Sequence, residues 1–523
     1  MTPQQYFNHV AKPDIQLSTF DRSHGRKTTF NSGLVIPIFI DEALPGDTFN
    51  LRTSVFARLS TPLKPIMDNI QMDIHYFSVP VRLVWSNWKK FMGEQASPGD
   101  STAYTIPTMT SPAVTGYAEG SIYDFMGIPT NVPGLVHSAL FNRAIALCHN
   151  EWYRDENLQP SVYCPTGDGP DTPGNYIVNA RGLRKDYFMS ALPFLQKGTA
   201  VTIPLGSTAP IVSNGASPSF SGRGLVNNVL SAHNGVSGLF VDANATSDGT
   251  IAFGSQSGLY TDLSTATAST INQLRQSFQI QRMLEKDARG GTRYTEKIRA
   301  HFGVISPDAR QQRPEFLGGS TTSVSINPIA QNSATGATGT TTVQGNLAAT
   351  GTLANTGHGF IKSFTEHEIV LGFASVRADQ TYQQGLNRMF SRSTIYDYYW
   401  PTLAHLGEQA ILNKEIFAQG SANLAADAAV FGYSERYAEY RYKPSIVTGQ
   451  FRSNAATPLD TWHLAYDYAS LPALNGTLIT LPPPIQRVVA VSSAPEFLVD
   501  LYFNYKCARP MPTFATPGLI DHF

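Results

Sequence analysis

The chain has 523 residues, of which 42% are hydrophobic, 11% aromatic and only 15% charged, and its formal net charge is −1. Ordinary soluble domains carry about 25% charged residues, so a free monomer would be short of solubilising surface and an obligate assembly is expected. Near-neutrality argues against a dedicated nucleic-acid domain, and the wide spacing of Cys148, Cys164 and Cys507 argues against a disulfide framework or a cysteine zinc site.

Met1-Thr2-Pro3-Gln4-Gln5-Tyr6 lacks the basic-then-apolar pattern of a signal peptide and no apolar run approaches the ~20 residues of a membrane span, so a soluble protein from a reducing compartment is expected. Residues 1–30 are polar and include Lys12, Arg22, His24, Arg26 and Lys27; they read as an extended arm. Leu34–Ile40 is a continuous apolar run, and Pro37 directs it to a sheet edge or a bulge because proline cannot donate to the ladder. Leu44-Pro45-Gly46-Asp47 is a turn. Beyond it, Phe49, Leu51, Val55, Ala57 and Leu59 alternate with Asn50, Arg52, Ser54 and Arg58, the period of a half-buried antiparallel strand. Ile70, Met72, Ile74 and Tyr76 repeat the pattern, as do Phe497, Val499, Leu501, Phe503, Tyr505 and Cys507. Strands at both ends of a long chain predict a mainly β barrel or sandwich with large insertions.

Three helices are predicted between them. One follows Pro133-Gly134, with Val136, Leu140, Ala144 and Leu147 on one face and Asn142, Arg143 and Asn150 turned away. The second runs from Ser264 to Lys286, with Ile271, Leu274 and Phe278 on one side, and the third from Thr402 to Gln419, closed by Gly420. Two stretches are nearly free of charge. Gly198 to Thr270 holds only Arg223, Asp242, Asp248 and Asp262, and Phe316 to Ile361 holds no Asp, Glu, Lys or Arg. Both keep scattered apolar residues, which disordered segments lack, so both are read as surface loops that pack on neighbouring copies.

No catalytic constellation can be assembled from these residues, and no cofactor or metal is called for. Glu366-His367-Glu368 lacks the second histidine of a zinc protease, since Leu371 stands in its place, and both glutamates are read as lying on a strand's outer face. His149-Asn150-Glu151 is half of a deaminase signature without its cysteine pair and is placed at a helix end. Asp168 and Asp171 could ligate calcium or simply frame a Pro/Gly-rich turn.

The densest charge lies between Arg275 and Arg313, where nine Lys and Arg face four acids. Phosphate contact would use the bidentate reach of arginine, with Tyr294 and Phe302 stacking on unpaired bases. A structural network is the favoured alternative, because four acids are mixed among the nine bases and Arg282, Glu285, Arg289 and Glu296 are spaced to pair among themselves or with a neighbouring subunit.

This island carries the string Asp287-Ala288-Arg289-Gly290-Gly291-Thr292-Arg293-Tyr294, continuing through His301-Phe302-Gly303-Val304 to Arg313-Pro314-Glu315-Phe316-Leu317-Gly318-Gly319. With Asp186–Gly198, Tyr398-Tyr399-Trp400-Pro401 running to Leu406-Gly407-Glu408-Gln409, and Glu439-Tyr440-Arg441-Tyr442-Lys443-Pro444-Ser445, it resembles the major capsid proteins of the Microviridae, most closely the gokushovirus branch. The resemblance spans nearly the whole chain. It implies an eight-stranded antiparallel viral jelly roll with long inter-strand insertions containing a few helices, assembled as a T=1 icosahedral shell around circular single-stranded DNA. The expected division is an arm over 1–30, a core over 31–198 and 263–523, and an inserted loop over 206–262 that forms a protrusion at the three-fold axis and meets the host. The implied partners are further copies of the chain, the genome, a small basic DNA-binding virion protein, a DNA pilot protein, an internal scaffolding protein and a host cell-surface receptor, with no membrane insertion. Arg22, Arg26, Lys27, Arg441 and Lys443 are candidate DNA contacts; Arg289, Arg293, Arg299 and Arg313 are candidates for a subunit interface or DNA. The competing reading is a carbohydrate-binding β-sandwich, which would present exposed aromatics on a stable monomer.

Overall fold

The computed structural model describes residues 16–199, 201, 271–290, 294–303, 311–334 and 343–514, with short strand segments inside 211–261. Two compact units result, Met1–Leu195 with Ile305–Phe523, and Gln196–Val304.

The two main sheets of the first unit comprise ten strands: β1 (Ser18–Asp21), β2 (His24–Phe30), β3 (Ile36–Ala43), β4 (Thr48–Leu59), β5 (Ile70–Pro80), β6 (Glu315–Ser323), β7 (Ser325–Ala330), β8 (Leu347–Ser363), β9 (Glu368–Ala378) and β10 (Phe497–Arg509). One sheet runs β1-β10-β4-β8-β7, with β2 continuing along the same edge of β10 as β1; the other runs β6-β5-β9-β3. Every pairing within these two sheets is antiparallel.

The count differs from the implied eight for two local reasons. β1 and β2 share one edge position, broken between Asp21 and His24. β6 and β7 are one extended segment that changes sheets at Val324, whose amide donates to Ile70 O at 2.8 Å. Counted by position, the first strand pairs with the last, the second with the seventh, the third with the sixth and the fourth with the fifth. That is a rolled-up antiparallel ribbon, the connectivity of a double-sheet jelly roll. Two long insertions, 81–314 and 379–496, leave from opposite ends of the second sheet, since Ala378 pairs with Ile70 while Glu368 pairs with Pro80.

The expected alternation holds on β4, β5 and β10, whose apolar rows form the core between the sheets with Ile38, Phe39 and Phe360. A buried hydrogen bond of 2.5 Å joins Thr53 of one sheet to Tyr76 of the other. β3 is the edge strand foreseen from Pro37, and its register with β9 slips beside that residue.

Several expectations are corrected. From Ser18 onward the presumed arm is sheet, because Phe30 and the row of β10 bury each other. The charge-free stretch 316–361 forms β6, β7 and most of β8 rather than loops; its Thr, Ser and Gly carry strands whose Val324, Leu353 and Phe360 enter the core. The helix foreseen over 402–419 is instead a 3-10 turn at Pro401–Leu406, a strand at Glu408–Leu412 paired with Val430–Glu435, and a short helix at Asn413–Ile416. Its apolar residues are close to helical spacing, but cross-strand pairing of Ala410 and Ile411 prevails.

The second sheet is covered on its outer face by the insertion 81–180, in a cluster of Phe77, Val79, Trp85, Met109, Ile145 and Phe373. Its main helix, α1 (Leu140–Cys148), follows a short strand at Val136–Ser138. Leu140 and Ala144 are buried as expected, but Asn142, Arg143 and Asn150 are buried too. Segment 162–176 closes over that polar face, with Asp171 gripping Arg143 and Val162 bonding Asn150.

In the second unit, α2 (Ile271–Gly290) and α3 (Tyr294–Phe302) lie against each other. The residues before Ile271 in the predicted Ser264–Lys286 helix lie outside the described residues, as does most of the loop 206–262.

Candidate assembly and nucleic-acid surfaces

The buried ionisable residues act as fasteners. Arg143 grips Asp171 with two hydrogen bonds, Nε to Oδ2 at 2.8 Å and Nη2 to Oδ1 at 2.6 Å, and also donates to Val84 O and Gly167 O. Tyr176 donates to the same carboxylate. Asp168 accepts from Trp85 Nε1 and Asn87. Both carboxylates considered for calcium are thus occupied by the protein's own donors, and the turn reading prevails.

On the outer face of β5, Asp73 binds Arg181 at 2.9 Å and Arg377 at 2.7 Å. Burial alone would raise its carboxyl, but the two guanidinium groups and the Thr321 hydroxyl hold it below the usual range. His75 beside it is pushed down to about 4 by burial and by Arg181. Since Arg181 comes from the insertion, this cluster rivets the insertion to the sheet.

Glu366 lies partly exposed and pairs with Arg82 at 2.8 Å. Glu368 departs from the expected outer face. It shares the core-facing side of β9 with Val370 and Ala374, is 4% exposed, and leaves one carboxyl oxygen without a hydrogen bond. Burial raises its carboxyl to about 7, helped by Glu366 and Glu315 and opposed by Ser78 and Lys362. His149 sits at the end of α1 with its imidazole lowered by burial, 3.5 Å from Ala180 O.

The candidate cations are dispersed. Arg22 pairs with Asp41 and stacks over Tyr505. Arg26 is drawn into the fold by Ile38 O and Phe125 O, and burial lowers its pKa. Lys27 stays exposed beside Asp500 at 3.1 Å. Arg441 pairs with Glu435. Lys443 is exposed at the rim of a cavity of about 310 Å³ lined also by Phe188, Tyr382, Met389 and Arg452.

The string Glu285–Gly319 is divided between the two units. Arg289 and Arg299 are exposed on α2 and α3, Arg293 lies outside the described residues, and Arg313 stacks over Trp152 at 5.5 Å. Between α2 and α3, Asp287 accepts from His301 at 2.6 Å and Lys297 at 3.4 Å. That part of the island is therefore internally paired.

The largest unforeseen feature is an aromatic surface in the second insertion. Phe390 (70% exposed), Tyr396, Tyr398, Tyr399, Trp400, Tyr440 and Tyr442 all face solvent. Their backbone is held from beneath. Arg392 lies over Tyr440 at 4.4 Å and reaches Glu439 at 3.4 Å, Arg388 joins Glu415 at 3.2 Å, and Arg436 donates to Tyr396 O. Tyr437 has a left-handed φ of 65°, kept in place by its amide donating to Gln409 and its hydroxyl to Tyr398 O. Non-glycine residues in that region cost about 1–3 kcal/mol and concentrate at functional sites. The available signal is the aromatic run Tyr396-Tyr398-Tyr399-Trp400, which has neither helical nor strand period.

Among the described residues no helix is long and apolar enough to cross a membrane. A family profile described as "Capsid protein (F protein)" matches residues 8–519. The chain is 47% identical to capsid protein VP1 of Bdellovibrio phage phiMH2K over 99% of this chain and 98% of the relative. It is 44% identical to capsid protein VP1 of Chlamydia phage 1, over 98% and 97%. It is 34% identical to capsid protein VP1 of Spiroplasma virus 4, over 98% and 96%.

Proposed function

The chain belongs to the phage capsid protein (F protein) family, and from that membership we propose that its copies close into a T=1 icosahedral shell around a circular single-stranded DNA genome. As a capsid protein it is a structural component of the virion and not an enzyme. The observation that carries the assembly reading is the aromatic surface over Phe390–Trp400 and Tyr440–Tyr442. Interface cores are enriched in Tyr, Trp, Phe and Arg, and contiguous exposed apolar patches of this kind mark association sites. Arg388 and Arg392 beneath it are already neutralised by Glu415 and Glu439. The face is thus poor in net charge, suited to another protein surface more than to a polyanion. A second copy of this low-charge chain is the natural occupant, with interfaces on the order of 2,000–5,000 Å² as in obligate assemblies.

Residues 206–262 would form the surface protrusion that meets a host receptor. The remaining partners of the reading are a small basic DNA-binding protein, a DNA pilot protein and an internal scaffolding protein. Size-exclusion chromatography with negative-stain microscopy tests the proposal. Closed particles of uniform diameter are expected; a stable 57.0 kDa monomer under all assembly conditions overturns it.

A further inference from the structure

The open face of the first sheet leaves cations without an ion pair beside exposed aromatic rings. Along β4 the solvent side reads Asn50, Arg52, Ser54, Phe56 and Arg58, and along β10 it reads Leu498, Asp500, Tyr502, Asn504 and Lys506. Phe56 is 53% exposed and Tyr502 52%. The register sets Asp500 opposite Phe56 and Tyr502 opposite Ser54, so the two residues are diagonal neighbours with Cα atoms about 7–8 Å apart. Asp500 is matched by Lys27, and Asp21 lies across from Lys506. Arg52 and Arg58 have no ion pair among the described residues. They stand six residues apart, about 20 Å along the strand, with both rings in the interval.

We propose that this face is a binding platform for single-stranded DNA, in which Phe56 and Tyr502 stack on unpaired bases while Arg52 and Arg58 hold phosphates. The inference rests on the genome-enclosing shell described above and specifies where the genome would touch it. Aromatic rings with interspersed cations on an open surface bind single strands without sequence preference. A protein partner fits this face poorly, because burying two unpaired arginines in a dry interface is costly, whereas phosphate satisfies them bidentately. A cleft of about 930 Å³ at the β2 edge is lined by Phe56 and Arg58 of this face together with Lys27, Glu119 and Asp124.

The test uses full-length subunits and a fluorescein-labelled oligo(dT) of about 20 nucleotides, long enough to cover several stacking sites. Anisotropy is read between about 50 and 200 mM salt, with a duplex of equal length as comparison, while particle formation is followed separately by microscopy. F56A/Y502A is expected to weaken oligo(dT) binding about tenfold or more, since each stacked base accounts for ~1–3 kcal/mol. R52Q/R58Q is expected to make the slope of log K against log salt shallower by about 1.4, roughly 0.7 for each phosphate that is no longer neutralised. The inference is overturned if wild-type subunits ignore oligo(dT), if either variant binds as wild type does, or if the ring variant loses particles while keeping its affinity. Particles that still form while binding is unchanged would leave the shell reading standing and remove only this one.

Discussion

Arg143 and Asp171 form a doubly hydrogen-bonded ion pair from which solvent is excluded, with side chains 0% and 2% exposed. Removing one partner of such a pair leaves a charge stranded in the interior and costs about 3–5 kcal/mol, whereas replacing both by apolar groups is far milder. Asp171→Ala and Arg143→Ala should therefore each lower the stability of the subunit by that order in chemical denaturation. The double variant R143M/D171L should recover much of the loss. A double variant as unstable as the sum of the singles would show that the pair acts through something other than mutual charge compensation.

A pH response follows from Glu368, whose carboxyl is raised to about 7 by burial and neighbouring acids. A carboxyl with a raised folded pKa binds more protons in the native state than in the unfolded one. Its favourable contribution is complete below the ordinary glutamate value and is lost as pH rises through about 7. His75, lowered to about 4, has the opposite sign and loses its contribution as pH falls from the ordinary histidine value. The two are separated by substitution. Glu368→Gln should leave stability near pH 5 almost unchanged and raise it relative to wild type at pH 8, measured as thermal midpoints across the range. Parallel wild-type and variant curves would refute the assignment.

Which parts of this are legible in the sequence follows the range of the interactions involved. The alternating rows of Phe49–Leu59, Ile70–Tyr76 and Phe497–Cys507 announce strands because a sheet half in water writes its period into the residues themselves. Arg143 reads as a solvent-facing residue because its partner lies 28 residues away, and nothing local says that a second layer will cover the polar face of α1. Glu368 reads as outward-facing because polarity suggests so, yet strand parity decides which side it faces, and the parity is set by Val370 and Ala374. The stacking rings leave a readable trace: Phe56 and Tyr502 fall on the polar side of otherwise regular alternations. The candidate cations fare worse, since Arg22 and Arg26 are held by Asp41 and by backbone carbonyls distant in sequence.

The aromatic surface yields a prediction that separates folding from assembly. Phe390 is 70% exposed and Trp400 53%, so neither contributes much to the core of the isolated subunit. Surface substitutions of this kind usually change stability by no more than about 0.5 kcal/mol. Phe390→Ser with Trp400→Ser should leave the thermal midpoint of the subunit close to wild type and abolish or strongly reduce closed particles in sedimentation and microscopy. Particles formed at wild-type yield would place the subunit interfaces elsewhere.

Deleting residues 206–262, with a short Gly-Ser bridge in their place, tests the protrusion assignment in the same spirit. The two main sheets of the first unit are closed by strand pairs between residues 18–80 and 315–509. The shortened subunit should keep its far-UV circular dichroism and a cooperative transition near that of the full chain, because the cost of closing a flexible loop changes only slowly with its length. What should fail is adsorption of particles to the host, or the yield of particles if the three copies at each protrusion also hold one another. A shortened chain that no longer folds would show that the range is part of the structural core, and the protrusion assignment would fall with it.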